Sequence, residues 1–109
     1  MKDDKQIESV KRYEISKHRK PKDVRGEGRG FDIESSGRLI EVKGRDFPKR
    51  KFIFITEKEF GNFLKNKNSW LYIVPNSGGV IEIERDMVLK AATIEPRWRI
   101  SLRNEISGI

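Results

Sequence analysis

The stretch from Gly30 to Arg45 constrains the fold more tightly than any other part of the chain. Ser36-Gly37 is a turn signal, and apolar and polar residues alternate on both sides of it. The spacing predicts a tight β-hairpin centred on that dipeptide, in which Ile33 faces Ile40, Phe31 faces Val42 and Asp32 faces Glu41. Side chains alternate along a strand, so Phe31, Ile33, Ile40 and Val42 share one face. Asp32, Glu34, Leu39, Glu41, Lys43 and Arg45 share the other.

The second face carries the chemistry. Directly opposed residues in an antiparallel pair have Cβ atoms about 4.5–5.5 Å apart, and like charges there are destabilising. Asp32 opposite Glu41 is therefore a cost unless positive charge lies between them. A divalent cation answers that need, since Mg²⁺ prefers hard oxygen ligands and keeps several waters. Lys43 lies two residues beyond Glu41 on the same face, within reach of a bound anion. An ordinary surface hairpin with mixed charges is the competing reading, because Glu-x-Lys alone is common.

Composition narrows the class. This length allows one domain over residues 1–109, with one modest core. Charged residues make up 38% of the chain and the formal net charge is +7, which favours a polyanionic partner, nucleic acid first. No apolar run is long enough to span a membrane or anchor to one. The lack of cysteine excludes disulfides and thiolate metal sites. Met1-Lys2-Asp3-Asp4-Lys5 leads into polar residues rather than the apolar stretch of a signal peptide, so a cytoplasmic location is expected.

Residues 4 to 18 read as an amphipathic helix, capped by Asp3 or Asp4 and stopped before Pro21. Ile7, Val10, Lys11 and Glu14 fall on one face of it. Glu14 is then either a boundary carboxylate reaching out to water or a third acid directed at the hairpin pair, with Glu8 a weaker substitute. Lys17, His18, Arg19, Lys20 and Lys22 form a basic run, either solvated surface or phosphate contacts beside the acidic pair. His18 is expected to be an exposed or helix-end residue. Arg25-Gly26-Glu27-Gly28-Arg29-Gly30 is a glycine-rich loop that a strand follows, so it is not a nucleotide-binding phosphate loop. Arg25 and Arg29 are further candidates for phosphate contact.

A loop from Asp46 to Lys51 carries the basic cluster Lys49-Arg50-Lys51. Phe52-Ile53-Phe54-Ile55 is apolar on both faces and reads as a central strand. Thr56-Glu57-Lys58-Glu59 is a capping box opening a helix to about Lys67. Trp70-Leu71-Tyr72-Ile73-Val74 is a second apolar run, and the order strand, helix, strand predicts that the two runs form a parallel crossover pair. Val80 to Ile83 is expected as an antiparallel edge strand, Asp86 to Ala92 as a short helix, and Trp98 to Leu102 as a last strand. Arg97, Arg99 and Arg103 would give that strand a basic face, which either touches nucleic acid or guards an exposed edge against aggregation.

The arrangement Asp32-x8-Glu41-x-Lys43 resembles the signature of the PD-(D/E)xK nuclease superfamily, with Gly30-Phe31 where that family carries its proline. The proline performs no chemistry. The resemblance implies an α/β fold, a restriction endonuclease-like core with a mixed central β-sheet flanked by helices. A closer resemblance lies in Tyr13-Glu14, Pro21-x-Asp23-Val24, Gly30-Phe31-Asp32-Ile33, Ile40-Glu41-Val42-Lys43-Gly44-Arg45, Ile55-Thr56-x-x-Glu59 and Trp70-Leu71-Tyr72-Ile73-Val74. In that order these motifs are similar to the NO VEIN C-terminal domain, a domain assigned to the same nuclease group and often appended to helicases or found in restriction and phage-defence proteins. The similarity covers about residues 10 to 102.

The resemblance implies that Asp32, Glu41 and the Val42 carbonyl hold Mg²⁺, with Mn²⁺ able to substitute and Glu14 contributing through water. Lys43 would position or activate the attacking water. Arg45, Arg25, Arg29, Lys20, Lys22, Lys49, Arg50 and Lys51 would hold the DNA backbone. The expected function is a metal-dependent DNA endonuclease acting on duplex or branched DNA in restriction, defence or repair. Cutting both strands would require a homodimer, and a helicase or other defence subunit is the expected protein partner. The alternative is a nuclease-fold module that binds nucleic acid or a partner protein, with weak or absent cleavage.

Overall fold

A computed structural model describes residues 4–45, 52–95 and 97–101. Helix α1 (Asp4–Ser16) leads to strand β1 (Pro21–Asp23), a turn of 3₁₀ helix (Arg25–Glu27), and strands β2 (Ile33–Ser35) and β3 (Arg38–Arg45). There follow β4 (Phe52–Ile55), α2 (Glu57–Lys65), β5 (Ser69–Pro75), β6 (Ile81–Glu84), α3 (Arg85–Ala91), β7 (Ala92–Glu95) and β8 (Arg97–Ser101). The fold is α/β. A mixed five-stranded sheet in the order β1-β2-β3-β5-β6 stands beside a three-stranded antiparallel sheet in the order β4-β8-β7.

The hairpin forms around Ser36-Gly37. Ile33 pairs with Ile40 and Ser35 with Arg38, leaving a two-residue loop. Both loop residues have positive φ, 46° at Ser36 and 93° at Gly37. This is the primed-turn geometry whose twist matches that of the strands it joins. The Ser36 Oγ accepts the Lys20 N–H at 3.0 Å, which ties the turn to the segment after α1.

Upstream the regular ladder stops at Ile33, so neither Phe31 with Val42 nor Asp32 with Glu41 forms the expected ladder pair. The Asp32 N–H bonds to the Ile40 carbonyl at 3.0 Å, and Phe31 turns to meet Phe63 edge-on with ring centroids 6.2 Å apart. The cause is the approach of the chain. Gly30 has φ 83°, and the Asn62 side-chain amide donates to its carbonyl at 3.0 Å, drawing the segment over α2. Strand β1 has no counterpart in the sequence reading. It pairs antiparallel with β2 over Pro21–Asp23, where the sequence shows only a basic run and a proline at the strand's first position.

The parallel pair of the five-stranded sheet is β3 with β5, not β4 with β5. Glu41 lies opposite Leu71 and Lys43 opposite Ile73. Strand β4 instead joins β8 in the second sheet, Ile53 opposite Ile100. Its apolar run is buried on one face only: Ile53 and Ile55 are inside, whereas Phe52 is exposed. A four-residue apolar run looks the same in sequence whether one face or both are covered. The edge strand β6 and the helix α3 stand as expected, with β6 antiparallel to β5. The side chains of residues 97–99, and residues 102 and 103 entirely, lie outside the described part, so the basic face of the last strand does too.

Strand alternation separates two cores. Ile40, Val42, Tyr72 and Val74 face α1, where Ile7 and Val10 cover them. Leu71 and Ile73 face the other way, packing with Phe63 of α2, Val88 of α3, and Ile53 and Ile100 of the second sheet. Strand β5 is covered on both faces, as befits a central strand. On β3, Glu41 lies between two residues committed to the α1 side, so it projects toward α2.

Candidate functional site

Three segments meet on the α2 side of the sheet. The turn into β2 delivers Asp32, β3 delivers Glu41 and Lys43, and the first turn of α2 delivers Glu59. A cleft of about 330 Å³ opens there, lined by Asp32, Glu41, Glu59, Phe31, Lys58 and Asn62 among others. The two acids of the sequence pattern are nearly inaccessible, Asp32 at 7% exposure and Glu41 at 3%. The Asp32 Oδ2 accepts the Val42 N–H at 2.8 Å, which fixes this carboxylate against the backbone between Glu41 and Lys43. Asp32 and Glu41 thus line one cleft, with the Val42 N–H on the Asp32 carboxylate.

Lys43 is the positive charge paired with Glu41. Its Nζ stands 3.7 Å from Glu41 Oε2 and 3.2 Å from each oxygen of Glu59. Glu59 in turn closes the capping box of α2. Its Oε1 accepts the Thr56 N–H at 2.8 Å, and its own N–H bonds to Thr56 Oγ1 at 3.0 Å. Burial pushes the Glu59 carboxyl up, but the Thr56 amide, the Lys43 ammonium and a hydrogen bond with Glu41 outweigh it and hold Glu59 below the usual carboxylate range. The sequence motif assigns Glu59 only the cap. Its second role comes from the neighbour across space, which a local motif does not encode.

Glu14 is not part of this cleft. It is fully buried on the opposite face of the sheet, so it neither reaches water nor approaches Asp32 and Glu41. Arg19 holds it through two hydrogen bonds of 2.6 and 2.7 Å, and the Tyr72 hydroxyl donates to it at 2.9 Å. Burial pushes Glu14 up, and the Arg19 and Tyr72 hydrogen bonds more than offset this, leaving it below its ordinary value. The same network continues to Glu82, which accepts from the Tyr13 hydroxyl and from Arg38 at 2.6 Å. The Arg38 guanidinium also stacks 3.8 Å over the Trp70 ring. The chain reverses after α1 at His18 (φ 63°), an exposed helix-end residue as expected, and that reversal brings Arg19 back to Glu14.

The basic residues divide. Arg25 borders the cleft, but its guanidinium bonds Asp23 at 2.7 Å and Asp4 at 3.0 Å. Its hydrogen bonds, outweighing burial, hold Asp23 below the usual range. Lys22 and Arg29 both approach Glu27, at 3.3 and 4.0 Å, and remain substantially exposed. Lys20 is exposed, and so is Lys58, a cleft residue that the sequence pattern does not single out. Arg45 ends β3 opposite Pro75, and Lys49, Arg50 and Lys51 lie outside the described residues.

The donor chemistry suits a hard divalent ion. Asp32 and Glu41 offer carboxylate oxygens at one cleft with room for water, and magnesium sites combine one or two carboxylates with retained waters. Among the described residues, no group of three histidine, cysteine, aspartate or glutamate side chains is already gathered as a metal ligand set. No described helix is long and apolar enough to cross a membrane.

The family model for the C-terminal region of protein NO VEIN matches residues 3–85. The match covers α1, the whole five-stranded sheet and α2, hence every described residue of the cleft, and stops before β7 and β8, short of the residue 102 that the motifs suggested. No curated protein and no solved structure matches the chain.

Proposed function

The chain belongs to the NO VEIN C-terminal family, and from the acid-and-lysine cleft its residues build we propose that it is a PD-(D/E)xK-type phosphodiesterase with a restriction endonuclease-like core, acting on DNA. The observation that carries this reading is that Asp32 and Glu41, both buried, line one cleft, with the Lys43 ammonium 3.7 Å from Glu41. Asp32, Glu41 and the Val42 carbonyl would hold Mg²⁺ or Mn²⁺, which when bound supplies an activated water and charge stabilisation at the phosphate. Asp32 is oriented for this by the Val42 N–H. Lys43 would contribute a positive charge beside Glu41, suited to neutralising charge that develops on a phosphoryl oxygen. Lys20, Lys22, Arg29 and Lys58 would contact the backbone on either side, joined by Arg45 and the 49–51 cluster. The protein would work in the cytoplasm, as a homodimer where both strands are cut, alongside a helicase or other defence subunit.

A second reading is favoured by one specific observation: Lys43 is already ion-paired to Glu41 and Glu59, and among the described residues no third ligand is gathered with Asp32 and Glu41. On this reading the fold binds nucleic acid or a protein without cutting. Labelled duplex, nicked and branched DNA and RNA, incubated with the purified protein and Mg²⁺, Mn²⁺ or EDTA, separate the two. Cleavage that EDTA abolishes is expected. DNA binding with no cleavage under any metal would favour the binding module.

A further inference from the structure

We propose that Glu59 is the positioning residue for Lys43, so that the first turn of α2 completes the cleft. This rests on the reading of the cleft as a phosphodiester site. Lys43 Nζ is closer to both oxygens of Glu59, at 3.2 Å, than to Glu41, at 3.7 Å. Its nearer partner is therefore the helix residue and not its neighbour on the strand. Lysine ends in a compact charge on a flexible four-carbon stem, so its head is fixed only by what holds it. Glu59 is a rigid holder because it is itself tied at two points, through Oε1 to the Thr56 N–H and through its own N–H to Thr56 Oγ1. The capping box thus does two things at once. It closes the helix end, and it presents a carboxylate to the ammonium that stands beside Glu41. Removing the charge of Glu59 would leave Lys43, among the described residues, with Glu41 as its remaining ion pair, at the longer distance.

Glu59→Gln is the informative substitution. Glutamine at this helix position also serves a capping box, so the helix end is kept while the charge opposite Lys43 is removed. The first measurement needs no cleavage: labelling by an amine-reactive ester in EDTA, read by mass spectrometry, with the exposed Lys58 as internal reference. Lys43 should label at least threefold faster in Glu59→Gln, with Lys58 unchanged; an unchanged rate at Lys43 overturns the proposal. The second measurement is single-turnover cleavage with Mn²⁺. Glu59→Gln should slow the cleavage step at least tenfold with DNA affinity within twofold, and should do nothing further in a Lys43→Ala background. An equal loss in that background would mean that Glu59 acts independently of Lys43 and would also overturn it. If wild-type protein cuts no DNA, the nuclease reading falls, and the labelling result still decides whether Glu59 holds Lys43.

Discussion

Single residues separate the readings of the cleft. Lys43→Ala removes a charge and leaves both buried carboxylates, so DNA binding should survive and most cleavage should disappear; undiminished cutting, followed on labelled duplex, would remove Lys43 from the mechanism. Asp32→Asn keeps an acceptor for the Val42 N–H while removing one charge. A ligand binding only the folded state at about 100 times its Kd adds about 2.7 kcal/mol, and each kcal/mol raises the melting midpoint of a domain this size by about 4–8 °C. Mn²⁺ should therefore stabilise wild type and not Asp32→Asn in paired melting curves with EDTA controls, and an equal shift in both would dismiss the carboxylate pair as ligands. Glu41 and Lys43 are legible in the sequence because strand alternation and a turn signal are local, whereas Asp32 lies beyond the regular ladder and is held instead by its bond to the Val42 N–H. Glu14 is not, because its partners are distant or folded back: Arg19 returns through a left-handed residue, and Tyr72 arrives from β5. No spacing rule on the helix alone distinguishes a carboxylate aimed at a metal from one buried against arginine.

At the scale of elements, the turns and caps are where substitution should cost most per atom changed. Gly37 has φ 93° with open space around the missing Cβ, so Gly37→Ala is strained by its backbone alone. A cost of about 1–2 kcal/mol is expected, measurable as a lower urea midpoint with unchanged slope. Thr56→Ala removes the hydroxyl that caps α2 and should cost about 1 kcal/mol, again by urea unfolding. The hairpin, α1 and the capped α2 are readable from sequence because each announces itself within a few residues. The placement of β4 is not, since its pairing with β8 is decided by which strand reaches the second sheet. Apolar content alone carries no such information. Strand β1 is hidden for a related reason: three residues starting with proline make a strand only because β2 offers an edge.

The whole molecule carries its charge unevenly with respect to the sheet. One face holds the cleft, and the other holds the Glu14, Arg19, Arg38 and Glu82 network, which balances internally. Glu14 and Glu82 are both held below the glutamate value of 4.5. Groups with depressed folded values stabilise the fold above their unfolded values, and this stability is lost as pH falls through the folded ones. Urea unfolding should therefore show stability declining below about pH 4.5, and Glu14→Gln should flatten that decline; an unchanged pH profile would mean that the network contributes nothing to it. On the proposed function, DNA binding would fall to the outer surface. Replacing Lys20 and Lys58 by alanine should reduce the steepness of the salt dependence by about 0.9 for each duplex phosphate that is no longer neutralised, as titrations at several ionic strengths would register.

The division of strands between two sheets sets a limit on how the chain can be dissected. Strand β4 leads directly into the cap of α2, yet its hydrogen-bonding partner is β8, beyond the matched family region. A fragment ending at residue 85 would keep every described residue of the cleft, but would leave β4 without its paired strand and strip Val88, Ala91 and Ile100 from the core that holds Ile53 and Ile55. Exposed apolar edges recruit other chains. Such a fragment should aggregate more readily than the full chain in size-exclusion chromatography, and a monodisperse fragment would show that β4 does not need β8 to stay soluble.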